Sequence, residues 1–104
     1  MDRQQVLSLA PIWNVGAPIA HFLAWADVVE RPGYSEHTRA AGPVLRGFAY
    51  ALTGTTPVRP SVIRFLTHAT PEQFMPWIER AVGLHLDAVN TVALLNRAYR
   101  EDHV

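Results

Sequence analysis

Eight prolines in 104 residues leave little room for long regular elements. Proline fixes φ at about −65° and has no backbone donor, so the first turn of a helix accepts it and the helix interior does not. Pro11, Pro18, Pro43, Pro60, Pro71 and Pro76 each precede or open a run with helical spacing, whereas Pro32, in "ERPGY", closes one. No stretch sustains the alternation of a half-buried strand, and no Asn-Gly or Asp-Gly pair marks a hairpin. The expectation is an all-α fold: a compact irregular array of five or six short helices with proline-punctuated turns. Its length makes it a single helical domain over 1–104. The closing "REDHV" breaks off just after a helix, as a fragment of a longer chain would.

The pattern places a short helix over Asp2–Leu9, capped by Asp2, and a second from Pro18 to Val29 or Glu30. The second is apolar all round except for His21 and Asp27, which marks it as the buried central helix. The connection 31–42 holds one helical turn after Ser35. Pro43–Thr53 follows, with Leu45, Phe48 and Leu52 on one face and Gly54 as its stop. Ser61–Ala69 turns Val62, Phe65 and Leu66 inward. Thr70, Pro71 and Gln73 fit a capping box; Pro76 lies too deep to be free, so the helix either kinks there or starts there. Phe74, Trp77, Ile78 and Ala81 share a face, Gly83 breaks the run, and Leu84–Arg100 forms the last and longest helix. On it Ala88, Val89, Val92, Leu95 and Tyr99 make the inward stripe, leaving Leu94 on the other side with Asp87, Asn90, Thr91 and Arg97.

Hydrophobic residues make up 49% and charged ones 17%, the balance of a globular chain. The net charge is zero, so no global field draws the chain to nucleic acid or an anionic membrane. Locally, 31–68 carries five arginines against Glu36, while both flanking segments are acidic. Every basic side chain is arginine, consistent with a GC-rich coding bias. With no cysteine, disulfides, thiolate catalysis and sulfur-ligated zinc drop out. The apolar stretch Val15–Val29 is shorter than the roughly 20 residues a membrane span needs and is broken by Pro18, His21 and Asp27. A soluble, cytoplasmic protein is expected.

Chemistry-bearing motifs are sparse. The five histidines lie more than a dozen residues apart, so no His-x-x-x-His ligand pair forms on a helix, and no metal or cofactor is expected. No serine sits in a Gly-x-Ser-x-Gly elbow, and no glycine-rich loop is followed by Lys-Ser/Thr. "SEH" at 35–37 puts three functional groups on different sides of a helix. "PVRP" at 57–60 serves as a helix entry. "ERAVGLHLDAV" has the glycine corner of a helix-turn-helix, but the exposed start of its second helix would offer DNA Asp87, Asn90 and Thr91, and an aspartate is repelled by phosphate.

What is left is surplus hydrophobicity. Leu94, Trp13 in a loop-like segment, and Trp77, with Arg97 nearby, are the candidate partner-binding residues. The function this favours is a non-catalytic helical interaction module (a subunit, adaptor or inhibitor) binding another protein or itself. The alternative is a helix-turn-helix DNA-binding regulator using 71–100.

Overall fold

The prolines become helix starts. In the computed structural model, which describes residues 3–12 and 16–98, α1 spans Arg3–Ser8, α2 Pro18–Val29, α3 Glu36–Arg39, α4 Ala41–Ala51, α5 Pro60–His68, α6 Pro71–Gly83 and α7 Ala88–Ala98. α2, α5 and α6 each begin on their proline. No strand occurs among the described residues, and the all-α reading holds. The Cα radius of gyration, 12.8 Å, matches the roughly 13 Å of a compact chain this long. The Asp2 cap lies outside the described residues.

Local signals set most boundaries. Ser35 Oγ accepts from the Thr38 amide and starts the single turn of α3. Ala40 then closes α3 and opens α4 with no loop between them, so Pro43 falls within the first turn of α4 rather than opening it. Gly54 does take up a left-handed φ of 79° just past α4. Thr70 and Gln73 form the reciprocal capping box. α6 runs unbroken through Pro76, because that ring faces solvent while Phe74, Met75 and Ile78 are buried on either side of it.

Gly83 does end the run, as the last residue of α6, but it does not itself make the left-handed turn: the Leu86 amide donates to Ala81 O and the His85 amide to Val82 O (both 3.0 Å). This is a Schellman stop whose left-handed position is filled by His85, at φ 56°, instead of glycine. Residues 84–87 are consequently a connection. α7 starts at Ala88, with Asp87 Oδ1 accepting from the Asn90 amide at 2.8 Å, and is described as far as Ala98.

The centre of the fold is α4, not α2 as the apolar run suggested. Eight of the 11 residues of α4 are buried, and it packs against α2, α3, α6 and α7. α2 shows Ala20, Leu23, Ala24 and Asp27 to solvent. Phe22 of α2, Phe48 of α4 and Phe74 of α6 meet with ring centroids 5.0–5.8 Å apart, and Phe65 of α5 sets its edge on Phe74 at 5.3 Å. Four helices thus converge on one aromatic cluster, in the tilted geometries that ring quadrupoles favour.

α7 reaches α4 because Gly47 is bare. A Cβ there would stand 2.7 Å from Ala88 O and 3.2 Å from Thr91 Cβ. At the other end of α4, the Glu30 side chain lies across Gly42, where it and Asp27 hold Arg46. Asn96 of α7 ties down the connection before α5: its Oδ1 accepts from the Arg59 amide at 3.1 Å and its Nδ2 donates to Pro57 O at 3.1 Å.

Two glycine-to-alanine changes should therefore act with opposite sign. Gly47→Ala is expected to destabilise by about 1–3 kcal/mol through overpacking against α7. Gly83→Ala, whose Cβ would meet open space in a helix, should stabilise by roughly 0.5–1 kcal/mol. Denaturant unfolding of both variants checks the pair.

Candidate interaction surface

Of the four sequence-predicted contact residues, Leu94, Trp77 and Arg97 are described, and they do not form one exposed patch. Leu94 is in the core, with 4% of its surface exposed. The expected stripe was turned by about one residue: α7 buries Thr91, Val92, Leu94 and Leu95, while Val89 is 64% exposed. Thr91 explains the error. Its hydroxyl donates to Asp87 O at 2.8 Å, satisfying the polar atom within the helix and letting the side chain turn inward. Trp77 is half-buried against the core on α6, with the Arg80 guanidinium 5.7 Å from its ring centroid. Arg97 is exposed near the end of α7. Trp13 and Tyr99 lie outside the described residues. Truncating Leu94 to Ala should cost roughly 2–4 kcal/mol of stability, as a core cavity does, which thermal or urea unfolding would read directly.

α6 and α7 share little direct contact; α4 packs against both. The segment 71–98 is thus two helices attached side by side to a third, joined by a capped four-residue connection. The exposed start of α7 presents Asp87, Val89 and Asn90.

The apolar surface lies elsewhere. Ala17, Pro18, Ile19 and Leu23 at the start of α2, Leu52 at the end of α4, and Ile63 with Thr67 on α5 line a groove of about 560 Å³. Thr67 brings the only polar side chain among these residues, and its hydroxyl is turned back onto Ile63 O at 2.7 Å. Leu23 is 39% exposed, and Ile19, Leu52 and Ile63 are partly so. Ile12, just before α2, is 96% exposed. A sequence signal for this site existed in α2: a helix apolar on every face has one more greasy side than a single core contact can cover.

The arginine-rich middle is partly spent on structure. Arg46 joins α4 to α2 through Asp27 (2.8 Å) and Glu30, and the hydrogen bonds it donates to Glu30 and then to Asp27 raise its pKa, holding it in the charged form. Arg59 Nε donates to Asn96 O at 2.9 Å. Arg31, Arg39 and Arg64 are exposed on separate elements.

The histidines divide. His68 is exposed at the end of α5, and His103 lies outside the described residues. His37 and His85 line one cleft between α3 and the end of α6. Among the described residues no three His, Asp or Glu side chains are grouped closely enough to hold a metal ion. His21 is 4% exposed, with its ring edge-on to Phe22 and Trp25 at 5.7 and 5.8 Å. Burial lowers its pKa from 6.5, opposed in part by the Ile12 backbone. A lowered folded-state pKa means the unfolded chain takes up the proton first. The contribution of His21 to stability is therefore full above pH 6.5 and is lost as the pH falls through the folded-state value. His21→Phe should lose less Tm than the wild type between pH 8 and pH 5; equal losses would remove His21 as the cause.

No described helix is long and apolar enough to cross a membrane. No family model matches the chain, and no curated protein or solved structure is significantly similar to it.

Proposed function

We propose that the chain is a non-catalytic helical interaction module that pairs with a second copy of itself through the groove between the start of α2, the end of α4 and α5. The observation that carries this is the groove's lining. Ile19, Leu23, Leu52 and Ile63 stay in contact with water on one continuous surface whose one polar side chain, Thr67, is already bonded to the backbone. Aliphatic surface of that kind is covered at a cost only in the entropy of association, and desolvating it contributes about 25 cal/mol per Å². A second copy suits it for two reasons. The chain has no net charge to oppose close approach. Two-fold pairing also sets like surface on like surface, and an uncharged lining meets no like-charge repulsion there.

The DNA-binding alternative draws less support. A recognition helix led by Asp87 and Val89, on a partner helix it scarcely touches, offers neither phosphate contacts nor a rigid two-helix unit.

Solution mass by light scattering tests the reading. Wild type at about 100 µM is expected at twice the chain mass, and Leu23→Glu at the chain mass with its helical circular dichroism intact, since Leu23 is half in solvent already. A wild-type monomer at that concentration, or a Leu23→Glu dimer, rejects self-pairing through this surface.

A further inference from the structure

Over residues 84–87 the local preference of the chain and its folded conformation disagree. The run from Leu84 to Ala98 holds no proline and no glycine and is rich in leucine and alanine, which favour helix most. In the folded molecule that helix is nevertheless interrupted between α6 and α7. The interruption turns at His85, the one non-glycine at positive φ among the described residues. An L-residue is strained there, where glycine would not be. Local preference and tertiary packing thus pull this connection in opposite directions.

The seat of α7 is what holds the bend. Thr91, Val92, Leu94 and Leu95 are buried, and α7 packs chiefly on α4, with Ala88 and Thr91 against Gly47. Asn96 ties its far end to Pro57 and Arg59, ahead of α5. α6 and α7 share little direct contact, so straightening the connection breaks few links between them. An identical α4 and α5 entry in another molecule can receive α7 with the same contacts remade.

We propose that residues 84–87 are a hinge through which the chain exchanges α7 with a second copy of itself. In the exchanged form 84–87 are helical, α6 and α7 join into one helix over 71–98, and each α7 seats on the α4 of the other molecule. Exchange of an identical element needs no new surface, because the receiving face already fits it. The difference lies in the hinge. His85 leaves the left-handed region, and the amide bonds of His85 and Leu86 to Val82 and Ala81 are replaced by ordinary helical ones. Leu84 and Val89, 55% and 64% exposed at the two ends of the hinge, lie where the crossing chains pass and gain cover. Leu86, partly buried against the core, opposes the change. This pairing is separate from the groove between α2, α4 and α5 and stands whether or not that groove pairs.

The test uses the full chain carrying Leu23→Glu, which takes groove pairing out of the comparison. The protein is held at about 1 mM in urea just below its unfolding midpoint, returned to buffer, and separated by size-exclusion chromatography with light scattering beside an untreated control. Treatment is expected to generate a dimer that persists on dilution to about 10 µM, since it comes apart only by reopening the hinge. Adding His85→Ala, which favours helix over the left-handed turn, should raise the yield about threefold or more. Adding His85→Gly, which favours the turn, should lower it by about the same factor. In the dimer the carbon shifts of 84–87 become helical while the amide shifts of α4 and of 91–95 stay those of the monomer, a combination that contact between outer surfaces does not give. No dimer from the His85→Ala chain, equal yields from the two His85 variants, or a dimer whose 84–87 shifts match the monomer overturns the proposal.

Discussion

The meeting of Phe22, Phe48 and Phe74 is the contact from which the rest of the arrangement follows. Each ring comes from a different helix, each is fully buried, and the centroid spacings of 5.0–5.8 Å leave room for tilted packing only. Once α4 supplies the middle ring, α2 and α6 must lie against it, and Phe65 brings α5 onto Phe74. The salt links between α2 and α4 are secondary, because Arg46 and Asp27 are substantially exposed and such pairs contribute little. Burial of the aromatic and aliphatic side chains provides the drive.

Around that centre, among the described residues, lie concave surfaces of different chemistry. One is aliphatic and uncharged, at the junction of α2, α4 and α5. Another carries imidazoles and carboxylates, between α3 and the end of α6.

Helix starts were legible in the sequence because their causes are local. A proline at the first position, Ser35 accepting from the Thr38 amide and the Thr70–Gln73 box all act within four residues. What was not legible depends on partners far along the chain. α2 looked central because every face is apolar, but only the glycines of α4 permit close approach on two sides: Gly42 under Glu30 and Gly47 under Ala88. Thr91 looked like a surface residue because its hydroxyl is polar, and a bond back to Asp87 O removed that polarity from consideration. Gly83 looked like a helix stop because glycine usually is one, yet the left-handed residue is His85. The concavities were not legible as wholes: the groove joins α2, α4 and α5 and the cleft lies between α3 and the end of α6, and no spacing rule links Leu23 to Ile63 or His37 to His85.

The bare patch at Gly47 also has a kinetic meaning. Ala88 can seat there only after a chain segment of roughly forty residues, carrying α5 and α6, has been gathered in, and closing a loop that long is an entropic toll not faced by the neighbouring α2 and α4. Loop closure alone therefore puts attachment of α7 after the pairing of α2 with α4. Momentary release of that helix would uncover Leu94, Leu95 and the flank of α4 while the aromatic centre stays closed, giving the molecule a partly open form below its global unfolding threshold.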